Sequence, residues 1–89
     1  MARDADIRND ILTYLYGARP IFRTVENIER ANARNGEVRD AKEIELEREL
    51  AYLVGKGLVN ERRRELDQGT KEFAISPNGV DFMEREGLV

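Results

Sequence analysis

The 89-residue chain contains no cysteine, no histidine and no tryptophan. Without cysteine it can form no disulfide and offers no thiolate, which fits a reducing, cytoplasmic setting. Without histidine as well, acid–base chemistry falls to carboxylates, and these lie on helix faces with no apolar pocket to raise a pKa. Ser76 precedes Pro77 and reads as a helix cap, with no histidine to activate it as a nucleophile. Glu43, Glu45, Glu47 and Glu49 follow at every second residue, so they spread around a helix instead of converging on a metal. Neither an enzyme nor a bound cofactor is expected. No run approaches the ~20 apolar residues of a membrane helix, and Arg3, Asp4 and Asp6 at the start do not read as a signal sequence. Only two prolines interrupt the chain, and no repeat, low-complexity tract or linker divides it. One domain over residues 1–89 is expected, burying roughly 60–65% of the surface its unfolded chain exposes.

What the chain does have is charge, 37% of its residues, with a net charge of −3. That balance argues against a surface coated in positive potential, although not against a local basic patch. The aromatics are few, so the core is mostly aliphatic. Tyr14, Tyr16 and Tyr52 read as core edge, beside leucine stripes, more readily than as a stacking surface.

The organising stretch is Ile44 to Val59. Leu46, Leu50, Leu53 and Val54 recur at helical spacing, with Glu43, Glu47, Arg48 and Lys56 outward. Gly55 and Gly57 end that helix by a left-handed turn, and Leu58-Val59 starts a strand at once. The spacing predicts helices over 4–16, 24–35 and 40–55, wing strands over 58–66 and 71–75, and a last helix over 77–86. Asp4 or Asp6 caps the first helix, Thr24 the second, and Asp40 the third, with Glu43 closing a capping box. Ile21-Phe22 reads as an apolar bridge or single strand segment, Asn35-Gly36 as the end of the second helix, and Asp67-Gln68-Gly69-Thr70 as the wing turn. Phe73 and Ile75 share one strand face. Ser76-Pro77 opens the last helix and Gly87 ends it.

Leu50-x-x-Leu53-x-x-x-Gly57-Leu58-Val59, a strand-turn-strand, and then Ile75-Ser76-Pro77-x-Gly79 resemble the winged helix-turn-helix domains of the MarR and ArsR type. The resemblance covers most of the chain, from about Asp6 to Glu86. It implies an α+β fold, mainly α: three helices, a two-stranded wing and a short C-terminal helix. In size and layout the chain is also similar to short winged-helix proteins of Mu-like prophages. The resemblance implies double-stranded DNA binding by a transcriptional regulator, with a homodimer suggested by family habit. In such domains the front of the third helix enters the major groove, and the wing touches phosphates or the minor groove. Carried onto this chain, the groove-facing candidates are Arg39, Lys42, Glu43, Glu45 and Arg48. The wing candidates are Arg62, Arg63, Arg64, Gln68, Thr70 and Lys71. Arginine suits both guanine edges and phosphates because its fork donates two parallel hydrogen bonds.

The chain departs from that pattern in its charge. Between Asp40 and Lys56 five acids oppose three bases, and from Asn60 to Glu72 four oppose four. Only Arg23 to Arg39 is positive, with four bases against three acids. A carboxylate in the groove can accept from cytosine N4, but several would repel phosphates. Glu49, just before Leu50, can instead sit beside the core. Arg62 and Arg64 share one strand face and Arg63 the other, an arrangement suited either to phosphate contact or to protecting a charged edge strand. The alternative reading is therefore a winged helix for protein contact, its acidic third helix presented to a basic partner.

Overall fold

Ile7, Ile11, Leu12 and Leu15 form the fully buried stripe of α1 (Arg3–Ala18) in the computed structural model, which describes residues 3–64 and 69–89. Six further elements follow among the described residues. They are β1 (Arg23–Thr24), α2 (Val25–Asn35), α3 (Glu43–Gly55), β2 (Val59–Arg63), β3 (Lys71–Ile75) and α4 (Pro77–Arg85). The α1 stripe packs against Ile28 of α2, Leu46, Leu50 and Leu53 of α3, and Met83 of α4. Val59, Phe73 and Ile75 close the same core from the sheet.

Local chemistry fixes how these elements join. The Thr24 hydroxyl accepts from the Asn27 N–H at 3.1 Å while the Asn27 side chain accepts from the Thr24 N–H at 3.3 Å, a reciprocal cap on α2. Gly36 ends that helix with extended backbone (φ −78°). Glycine is needed there for space, since a Cβ would overlap the Asn32 side chain. Asp10 of α1 then accepts from the backbone N–H groups of Glu37 and Val38, each at 2.9 Å, and so sets the turn between α2 and α3.

The start of α3 differs from the Asp40–Glu43 capping box. Lys42 occupies the cap position and has no side-chain acceptor to offer. Only the reciprocal half of a box exists, with Glu45 Oε1 accepting from the Lys42 N–H at 3.0 Å. Asp40 is instead drawn to Arg3, 3.3 Å away. At the far end Gly57 alone takes the left-handed conformation (φ +76°), and Gly55 is the last helical residue. The Leu58 N–H reaches back to the Leu53 carbonyl and the Gly57 N–H to that of Val54, both at 3.0 Å, which satisfies the helix end and turns the chain into β2.

β2 and β3 form the expected two-stranded wing, and β1 adds a third strand to the sheet, in the antiparallel order β1–β3–β2. The first strand begins one residue after the expected Ile21-Phe22 and pairs Arg23 with Phe73. In β2 and β3, Val59 faces Ile75 and Arg62 faces Glu72. β2 ends at Arg63; the expected continuation through Glu65 and Leu66, and the turn residues Asp67 and Gln68, lie outside the described residues.

Ser76 pins α4 to the α3–β2 junction. Its hydroxyl donates to the Gly57 carbonyl at 2.6 Å and accepts from the Gly79 N–H at 3.0 Å. Gly79 lies so close to the Leu58 carbonyl that a Cβ would overlap it, which gives the glycine of the Ser76-Pro77-x-Gly79 motif a steric reason. No helix among the described residues is long and apolar enough to cross a membrane.

Candidate nucleic-acid interface

The exposed face of α3 looks across an open groove of about 860 Å³ toward β2, β3 and the start of α2. Glu43, Glu47 and Ala51 line it from the helix, Glu26 and Asn27 from α2, and Glu61, Arg64 and Lys71 from the wing. The acids are unevenly engaged. Glu61 pairs with Lys71 at 3.8 Å. Glu26, Glu43 and Glu47 have no ion-pair partner among the described residues.

Two α3 acids are withdrawn from this face. Glu49 is buried, 4% exposed, and takes a hydrogen bond from Arg8 Nε at 2.7 Å; Arg48 Nε reaches its other oxygen at 3.3 Å. The Glu49 carboxylate raises the Arg8 pKa above its ordinary value. Glu45 is held by Arg3, whose Nε and Nη2 each donate at 3.0 Å. That bond, helped by the Lys42 N–H, pushes the Glu45 pKa down to about 2. The candidate groove acids thus separate: Glu43 stays in front, while Glu45 faces the start of α1.

The expected base readers are more occupied than the sequence suggests. Arg48 spans Asp4, 3.6 Å away, and Glu49, so it leans toward α1. Arg39 donates to the Gly36 carbonyl at 3.1 Å in its own loop. Lys42 is exposed at the cap of α3. On the wing, Arg62 of β2 and Arg64 just past its end share Glu72, at 3.1 and 3.4 Å. The Arg62 guanidinium also stacks 4.0 Å over the Phe22 ring. Arg63 and Lys71 are exposed beside them, and Thr70 is half-buried. Gln68 lies outside the described residues.

Three residues have surroundings that local sequence does not specify. Phe22 supports Arg62, a contact set by tertiary approach rather than spacing. Tyr52, expected at the core edge, is 44% exposed, with Arg8 at 4.1 Å and Lys56 at 5.6 Å from its ring centroid. Ile44 is 74% exposed at the front of α3. Its position between Glu43 and Glu45, off the Leu46–Leu50–Leu53 stripe, already carried that signal.

No family model matches the sequence, and no curated protein matches it. Solved structures do match the fold. One is a mutant of S. aureus MepR bound to an oligodeoxyribonucleotide, with a TM-score of 0.74 at 20% identity over 89% of this chain and 52% of that one. A second MepR mutant gives 0.72 at 20% identity, covering 88% and 51%. S. aureus MepR in its DNA-binding conformation gives 0.72 at 19% identity, covering 96% and 64%. The chain has a winged helix-turn-helix fold. It spans between half and two-thirds of the length of these MepR chains.

Proposed function

We propose that the chain is a small winged-helix DNA-binding protein that acts in transcription regulation. The observation that carries this reading is its likeness, over 89% of its length, to a MepR structure bound to an oligodeoxyribonucleotide. The exposed α3 front and the wing residues Arg64 and Lys71 flank one groove, with Arg62 farther out on the wing, a layout that suits a helix in the major groove and a wing on phosphates. Surface ion pairs such as Arg62–Glu72 contribute only about 0–1 kcal/mol, so phosphates can replace Glu72 as the partner of these arginines. Arg39, Lys42, Arg48, Arg62, Arg63, Arg64 and Lys71 remain the residues proposed to touch DNA. The residues from 1 to 89 are read as one domain, working as a homodimer so that two weak half-sites add. Cysteine-free composition supports a cytoplasmic setting, and the likeness in layout to Mu-like prophage proteins supports a phage origin.

The test is fluorescence anisotropy of a mixed-sequence duplex of ~30 base pairs, titrated at low and at physiological salt. A salt-dependent signal, with a slope that counts phosphate contacts, is the expected result. No binding at low salt removes the reading.

A second reading has one observation in its favour. Glu26, Glu43 and Glu47 surround the groove without ion-pair partners among the described residues, while Arg62, Arg64 and Lys71 of the wing already face carboxylates. On that reading the groove receives a basic protein segment. It predicts negligible DNA affinity at any salt, and loss of partner capture when Glu43 and Glu47 are changed to lysine.

A further inference from the structure

We propose that Ile44 reads the 5-methyl group of a thymine in the major groove; this deepens, and rests on, the DNA-binding reading. The outward line of α3 is unusual in having few hydrogen-bonding groups. At 3.6 residues per turn, Ile44, Ala51 and Gly55 fall within about 40° of one another around the helix. All three are exposed, and they lie opposite the buried Leu46 and Leu53. The ridge that would enter a groove deepest is therefore apolar and narrow. Arg48, beside it on one flank, leans back onto Asp4 and Glu49. Glu47, on the other flank, is exposed without an ion-pair partner among the described residues.

Ile44 sits in the first turn of α3, the part of a recognition helix that meets base edges. With 74% of its surface in water, it is the most exposed of the large hydrophobic side chains. Phosphates and most base-edge atoms offer it nothing, because they are polar. The thymine methyl is the apolar feature of the major groove, and side-chain methyl groups match it. Ala51 and Gly55 add no bulk, so the helix backbone can approach closely enough for Ile44 to touch it. Glu47 is placed to accept from cytosine N4 alongside, the one base-edge role in which an acid is favoured. In this arrangement the wing arginines supply phosphate attraction, and α3 reads the site mainly by shape and methyl contact.

The experiment uses the full chain. A duplex is first selected from a random library, and its thymines are then replaced one at a time by deoxyuridine, which removes only the methyl. Wild-type affinity is expected to fall about fourfold at one or two positions. The Ile44→Ala variant should bind thymine and deoxyuridine duplexes alike while keeping the wild-type melting temperature, since Ile44 is outside the core. Equal wild-type affinity for the thymine and deoxyuridine duplexes overturns the inference alone. So does an Ile44→Ala protein that still prefers thymine. A protein that selects no duplex even at low salt overturns the DNA-binding reading and this inference with it.

Discussion

Arg8 Nε donates to Glu49 Oε1 at 2.7 Å, across the contact between α1 and α3. This one bond decides where an acid of α3 points. Glu49 is turned into the helix interface and leaves Glu43 and Glu47 as the acids of the front face. Removing Arg8 leaves a buried carboxylate with only the exposed Arg48 beside it. Arg8→Met is expected to cost about 1–3 kcal/mol in urea unfolding, and Arg48→Ala distinctly less. Equal costs would contradict the assignment of Arg8 as the principal partner.

Glu45 makes stability depend on pH in a defined direction. Arg3 and the Lys42 N–H hold its carboxyl down to about 2 from an ordinary 4.5. A folded-state pKa below the unfolded one contributes stability that is complete above about 4.5 and is lost as pH falls toward 2. Wild type should therefore exceed Glu45→Gln in denaturant midpoint at pH 6, with the gap closing between pH 4.5 and 2. A gap that is constant with pH would show that the Arg3 contact is not formed in solution.

Glu72 holds two wing arginines at once. Changing it to glutamine removes the competing charge while keeping a hydrogen-bonding side chain. On the DNA-binding reading, Glu72→Gln tightens binding severalfold at low salt, and Arg62→Ala with Arg64→Ala weakens binding to all sequences. The double variant should also reduce the salt slope by about 2. Titration of the three proteins across a salt series measures both effects. Unchanged slopes would remove the wing from the proposed interface.

Gly79 is required by space rather than by backbone conformation. A Cβ there would overlap the Leu58 carbonyl and crowd the Ile75 side chain. Gly79→Ala is expected to destabilise by about 1–3 kcal/mol. Gly17→Ala, at a helical position with open space around it, should not destabilise. A urea melt of each variant separates the two cases.

These residues also show which parts of the molecule were legible in the sequence. The helices were readable because their stripes, such as Ile7-Ile11-Leu15 and Leu46-Leu50-Leu53, are local patterns. Thr24, Gly57 and Ser76 announced their boundaries by local chemistry. The strand segment expected at Ile21-Phe22 lies instead at Arg23-Thr24, because two residues are too few to show alternation and their position is set by pairing with β3. The cap of α3 falls at Lys42 and not at Asp40, because Arg3, 37 residues away in sequence, draws Asp40 out of that role. At the candidate site, residue type located the wing arginines, but not their carboxylate partners. Whether Arg48 faces a groove or Asp4 depends on how α1 packs, which no spacing within α3 reveals.

The central claim is that the face formed by the α3 front and the wing is the one that meets DNA. The most direct measurement is the backbone amide NMR spectrum of the 15N-labelled chain, titrated with a mixed-sequence duplex at low salt. Salt-sensitive shifts are expected to concentrate at residues 39–51, 60–64 and 69–72, with α4 and the middle of α1 unmoved. An unchanged spectrum, or shifts confined to α2, would contradict that claim.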